Sequence, residues 1–171
     1  YASDYKLSMV EVNKDEVLDL RKGDIFLLGF RRNPYKYVKA SDYFVFSSYV
    51  EGSPNALAEA MIIGTPVIST RCKVGPSDLL KSTINTEVEE TEVGVLHPVF
   101  NSNSLNHRDL SREEQVWVNS LIQILKNKDR AHKRANKAQE EMKNYDNKVV
   151  LRKWRNLIEQ YSLTELIKDR K

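Results

Sequence analysis

Ser48-Tyr49-Val50-Glu51-Gly52-Ser53-Pro54-Asn55-Ala56-Leu57-Ala58-Glu59 is the stretch on which the reading of this chain turns. An apolar, strand-like segment (Tyr43 to Ser47) runs into it, and an apolar, helix-like one (Ala56 to Ile63) runs out of it. Ser53 is a good N-cap and Pro54 a good first helical residue, because proline's missing N–H costs nothing there. A helix starting at Pro54 leaves Glu51 in the turn ahead of it and places Glu59 in its second turn. Asn55 and Glu59, four apart, share a face. The helix then carries one polar edge, beside free first-turn N–H groups that attract anions, phosphate above all. Glycine after Glu51 permits close backbone approach to a ligand, and Glu59 is the single charge between Gly52 and Gly64. A strand, a turn and a Ser-capped helix with a solvent-facing Glu also describe α/β proteins with no ligand at this place, so spacing leaves both readings open.

Working outward, short apolar strands alternate with helices. Strands are expected at Tyr5 to Val12, Asp24 to Leu28 (ended by Gly29), Tyr43 to Phe46, Pro66 to Ser69 and Gly94 to Leu96. Helices are expected at Lys14 to Arg21, Pro34 to Lys39, Pro54 to Ile63 and Pro76 to Lys81. This alternation predicts an α/β fold, a parallel sheet covered on both faces. Ser82 to Glu92 and Asn101 to Asp109 read as surface loops. Beyond Ser111 the pattern is helical: Val116, Leu121, Ile122 and Leu125 mark one amphipathic helix, and a very polar stretch, 129–145, follows. Asp146 or Asn147 caps a last helix with Val149, Val150, Trp154, Leu157 and Ile158 on its inner face. The division is therefore 1–110 for the α/β part and 111–171 for helices packing on it. Ligands of open parallel sheets bind outside the carboxyl ends of the strands. Here those ends are the loops Gly29 to Asn33, Ser47 to Asn55 and Ser69 to Gly75.

At 171 residues, 40% hydrophobic and 30% charged, the chain has the composition of one ordinary globular domain. It contains no apolar run long enough to span a bilayer and no signal-peptide pattern. It begins at Tyr1 in what reads as mid-architecture, as expected of a fragment of something longer. Cys72 is the one cysteine, so no internal disulfide forms; it reads as a small side chain near a strand end rather than a nucleophile. The net charge is +3, but from Arg112 onward 15 Lys/Arg face 9 Asp/Glu. That excess lies along helical patterns with few aromatics, which favours a solvated face over nucleic acid. No Asp-x-Asp occurs, and His97, His107 and His132 are too scattered for zinc, so no metal site is expected.

These residues resemble the family-four, or group one, retaining glycosyltransferases, whose signature E-x7-E matches Glu51 to Glu59. The likeness extends over Leu28 to Tyr35, Ala40 to Ser48, Gly64 to Thr70, Gly75 to Leu80 and Val93 to Leu96 in the expected order. It implies the C-terminal, donor-binding half of a GT-B architecture of two Rossmann-like domains, with a nucleoside-diphosphate sugar as substrate and no cofactor. By position, Glu51 contacts the hydroxyls of the donor sugar and is the candidate catalytic residue, and Glu59 takes the ribose hydroxyls. Backbone groups of Gly52, Ser53, Asn55 and Ala56 face the sugar and diphosphate. Main chain near Phe30 and Arg31 holds the base, flanked by Tyr35; Tyr37 reads as packing.

The resemblance further implies hexosyl or N-acetylhexosaminyl transfer in cell-envelope, capsular or lipopolysaccharide synthesis. The setting is cytoplasmic, with a basic tail suited to an anionic membrane surface and an N-terminal acceptor domain as missing partner. Three departures limit it. The diphosphate-neutralising Gly-Arg and Lys are absent, Glu11-Val12-Asn13 replaces a Gly-x-Gly turn, and Asp78 replaces a Glu. The isolated fragment is therefore expected to be inactive. The alternatives are a non-catalytic sugar-nucleotide binding module and a GT-B sugar-nucleotide epimerase.

Overall fold

The computed structural model describes residues 6–13, 18–100 and 110–161. It divides into two compact units, Tyr1–Lys36 and Tyr37–Lys171.

In the first unit, β1 (Met9–Glu11) pairs in parallel with β2 (Ile25–Leu27), Val10 opposite Phe26. The Asp24 carboxylate locks the approach by accepting from Ser8 N at 2.9 Å and Ser8 Oγ at 2.7 Å, and those bonds lower its pKa. The strand expected over Tyr5 to Val12 is thus shorter. Of the helix expected from Lys14 to Arg21, residues 14–17 lie outside the described residues, and Leu20–Lys22 form a 3-10 turn capped by Asp19.

The second unit holds a four-stranded sheet, in the spatial order β3 (Phe44–Phe46), β4 (Val67–Thr70), β6 (Val95–His97), β5 (Glu89–Glu90). The first three are parallel and β5 is antiparallel to β6. Helix α1 (Tyr35–Ala40) precedes β3, α2 (Asn55–Ile63) joins β3 to β4, and α3 (Pro76–Leu79) follows β4. Then come α4 (Arg112–Lys126), α5 (Lys128–Met142) and α6 (Asn147–Gln160). Every residue of β4 is buried, as a strand covered on both faces must be. Val67 and Leu96 pack with Leu57, Met61 and Ala138 on one face. Ile68 and Val95 pack with Trp117 and Ile124 on the other. The second unit forms the expected sheet with two helical layers and a helical tail, mixed rather than wholly parallel because β5 runs antiparallel.

The helical layers have specific locks. Ser111 and Glu114 make a reciprocal capping box at the start of α4. Trp117 Nε1 donates to Pro98 O at 2.9 Å. The polar stretch 129–145 folds mainly as α5, whose buried face is Ala131, Arg134, Ala135, Ala138 and Met142. Alanine brings α5 close to α2, where Gln139 Nε2 donates to Ile62 O at 2.9 Å. Gln139 lies over Gly64, whose φ of 84° closes α2 and whose absent Cβ would meet that side chain at 2.7 Å.

Two expectations need correction. The loop read over Ser82 to Glu92 contains β5, and Glu89 is buried. Burial opposes its ionisation, but donors from Ser82, the Thr83 and Ile84 amides and Arg71 outweigh it and hold the carboxyl down at about 2. Glu90 pairs with Arg134 and, at 3.1 Å, with Arg130. The second correction concerns α6. It is capped by Asp146, which accepts from Lys148 N at 2.8 Å, yet its apolar stripe is not an inner face. Trp154, Leu157 and Ile158 are exposed and Val149 and Val150 half-buried, because no other described element covers them.

His97, read as structural or surface, is fully buried, stacked on Trp117 at 4.2 Å, with neither ring nitrogen hydrogen-bonded to a described residue. Burial pushes its pKa down to about 4, against a small opposing pull from Glu90. A base held below its free value of 6.5 binds fewer protons folded than unfolded, so folding stability drops as pH falls from 6.5 towards 4. The expected result is that His97→Phe gains about 1.6 kcal/mol on the native protein between pH 6.5 and pH 5. Urea unfolding at the two pH values measures it; an unchanged gap overturns the assignment.

Candidate functional site

Glu51 precedes α2 in the turn after β3, and Glu59 lies within the helix. Strand β3 ends at Phe46, and the chain turns through Ser48 to Ser53 before α2 begins at Asn55. Pro54, not Ser53, occupies the capping position, and no side chain caps the helix. Ser53 Oγ instead donates to Asn55 Oδ1 at 3.2 Å, and its carbonyl accepts the Asn55 N–H at 2.9 Å. The N–H of Ala58 makes the first helical bond, to Pro54 O at 3.1 Å. The Asn55 N–H is therefore already bonded within the turn, and the N–H groups of Ala56 and Leu57 precede the ladder, with the positive end of the helix dipole. The expected cap was legible as a residue type, but a buried Pro54 displaces it by one position.

Asn55, Glu59 and Ile62 follow one another along a face of α2 and border a cavity of about 420 Å³. Gly52, Ser53 and Asp78 also line it, and Met142 and Tyr145 close it from the end of α5. One side is polar and acidic, the other apolar, and no Lys or Arg among the described residues lines it. Glu59 is exposed and Glu51 half-buried. Neither carboxylate has a hydrogen-bonding or ion-pairing partner among the described residues. Such oxygens accept hydrogen bonds from vicinal hydroxyls, the pattern that sugars and ribose present. Glu51 and Ala56 do not line this cavity. Tyr145 is the residue that sequence reading missed, since it follows a stretch with no strong apolar period.

The remaining candidates belong to the first unit. Phe30 is 82% exposed and Tyr35 is exposed. Arg31 donates from Nη1 to Asn13 O and from Nη2 to Val12 O, both at 2.8 Å. Its guanidinium braces the end of β1, so its side chain has a structural use whatever its main chain does. Among the described residues no group of three His, Cys, Asp or Glu is placed to hold a metal ion.

Comparison with known proteins follows the same geography. The family described as "Glycosyl transferases group 1" matches residues 5–105. An uncharacterized glycosyltransferase of Methanocaldococcus jannaschii is 33% identical over 147 residues, covering 81% of this chain and 36% of the relative. The N-acetylgalactosamine-N,N'-diacetylbacillosaminyl-diphospho-undecaprenol 4-alpha-N-acetylgalactosaminyltransferase of Campylobacter jejuni is 36% identical over 99 residues, covering 55% of this chain and 25% of that enzyme. The chain thus spans about a third or less of the length of these relatives. Among solved structures, Anabaena HepE in complex with UDP has the same fold, with a TM-score of 0.56 and 22% identity over 81% of this chain and 32% of that one. Both the breadth of the family match and the identity to the archaeal relative lead to one assignment: the chain belongs to the group 1 glycosyltransferases.

Proposed function

We propose that this chain is the donor-binding half of a retaining, metal-independent glycosyltransferase of GT-B architecture. It would transfer a hexose or N-acetylhexosamine from a nucleoside diphosphate in cell-envelope polysaccharide synthesis at the cytoplasmic side of the membrane. The observation that carries the reading is that Glu51, ahead of an uncapped helix start, and Glu59, within that helix, are both without a partner among the described residues. Glu59 would accept the two ribose hydroxyls from inside the cavity shared with Asp78 and Tyr145. Glu51, half-buried ahead of the helix, would accept from the donor sugar's hydroxyls. The N–H groups of Ala56 and Leu57 would face the diphosphate, where charge grows as the glycosidic bond breaks. UDP in the Anabaena structure of the same fold, and N-acetylgalactosamine transfer onto an undecaprenol-linked acceptor by the Campylobacter relative, support the substrate class.

Calorimetry with uridine and guanosine diphosphate tests the donor assignment. The protein should bind one of them weakly, with the same affinity in magnesium and in EDTA. Glu59→Ala should weaken that binding roughly tenfold or more, the loss expected for hydrogen bonds to a charged acceptor. Equal affinity in the two proteins removes the ribose role. For the full-length parent enzyme, Glu51→Ala should abolish turnover while leaving nucleoside diphosphate affinity intact; retained turnover refutes the role of Glu51.

A further inference from the structure

We infer that the connection from β4 to α3 is a clamp that sets the position of Glu51, with Thr70 and Cys72 as its positioning residues. The inference rests on the role proposed for Glu51 and adds residues that act through it. Both side chains are buried at the end of β4 and donate to one acceptor, the Ser48 carbonyl: Thr70 Oγ1 at 2.5 Å and Cys72 Sγ at 3.1 Å. Thr70 Oγ1 and Cys72 Sγ also lie 3.4 Å apart, so the two grip the carbonyl together. That carbonyl stands where the chain leaves β3, three residues before Glu51.

The same connection holds the other end of the loop. Gly75, at φ 92°, lies so close to Pro54 that a Cβ would meet Pro54 Cδ at 2.6 Å and Gly52 O at 3.5 Å. Glu51 is therefore fixed at both flanks by 70–75, although its own carboxylate touches nothing described. A part-buried carbonyl held by two donors is restrained in its position. Without the hydroxyl it keeps only the weak S–H donor of Cys72, and its freed lone pair must find another partner or turn towards water. Helix α2 does not depend on this carbonyl, since its ladder begins at Pro54 O. Disturbing the clamp should move Glu51 and leave Glu59 in place.

Thr70→Val removes the donor at nearly constant shape, and Thr70→Ser keeps it. Two readouts separate the clamp from the donor assignment. In amide NMR spectra of the protein, Thr70→Val should displace or broaden the Val50 to Ser53 signals and leave those of Glu59 to Ile63 unchanged, with Thr70→Ser returning them. Cys72→Ala should give a smaller change of the same pattern. An unaltered loop, a change spread over the whole sheet, or a Thr70→Ser spectrum matching that of Thr70→Val overturns the clamp.

Calorimetry with UDP and with UDP-N-acetylglucosamine then tests what the clamp is for. Thr70→Val should cancel any gain in affinity that the sugar gives over UDP, while UDP affinity stays within about twofold of wild type. A parallel loss for both ligands, or an unchanged gain, overturns the positioning role. If the wild-type protein binds neither ligand, or gains nothing from the sugar, the positioning role falls with the donor assignment and the spectra still decide the clamp.

Discussion

Strand β4 has no solvent-facing side, and this constraint organises everything around it. Val67 faces the layer of α2 and α5, and Ile68 faces the layer of α4. A strand buried on both faces must pair its backbone on both edges, which β3 and β6 supply. Its end is then a fixed point from which loops can be held. Thr70 is the last residue of the strand and already reaches the Ser48 carbonyl. Order in the hydrocarbon core is in this way passed to a polar loop that has little packing of its own.

The acids of the second unit fall into two groups with opposite treatment. Glu89 is buried and surrounded by donors from Arg71, Ser82 and two amides. Glu90 takes both Arg130 and Arg134. These pairs fasten the antiparallel edge of the sheet to α5 and to the loop before β5, and a carboxylate satisfied to that degree has little capacity left for a ligand. Glu51 and Glu59, by contrast, have no such partners among the described residues, and Glu59 borders a cavity whose described lining includes no Lys or Arg. The chain thus separates acids that brace the fold from acids left open to solvent.

How much of this was legible depends on the kind of signal. Strands with apolar runs, such as Tyr43 to Phe46 and Pro66 to Ser69, were placed within a residue or so because β-branched and aromatic runs are strong local evidence. Helix α5 carried no such evidence: its buried face is mostly alanine, and its long side chains are charged. Strand β5 is two glutamates, which no propensity assigns to a sheet; only pairing with Val95 and Leu96 and the arginines around it make that conformation stable. The stripe of α6 was legible as amphipathic, but periodicity says which residues share a face and not what covers it. At the site, residue types and order gave Glu51, Glu59 and the helix start. The Ser53 cap failed because a buried proline next to Gly75 shifts the helix by one residue, a tertiary contact that local rules do not contain.

The electrostatics of the site limit how it can hold an anion. With no Lys or Arg among the described residues of the cavity wall, and Glu59 and Asp78 on it, the attraction these residues offer a phosphate is that of a helix start, about 0.3–1 kcal/mol near a surface. Glu59 and Asp78 subtract from that at distances below a Debye length. On the proposed reading such a wall suits hydroxyl groups better than charge: carboxylates accept from hydroxyls, and Tyr145, Ile62 and Met142 line it with apolar surface. A nucleoside diphosphate bound here would be held chiefly through its ribose, its phosphates steered by the open amides of Ala56 and Leu57 and neutralised by basic side chains that these residues do not supply. Binding energy arranged in that order would leave the sugar's position to Glu51, and so to the backbone carbonyl that Thr70 and Cys72 hold.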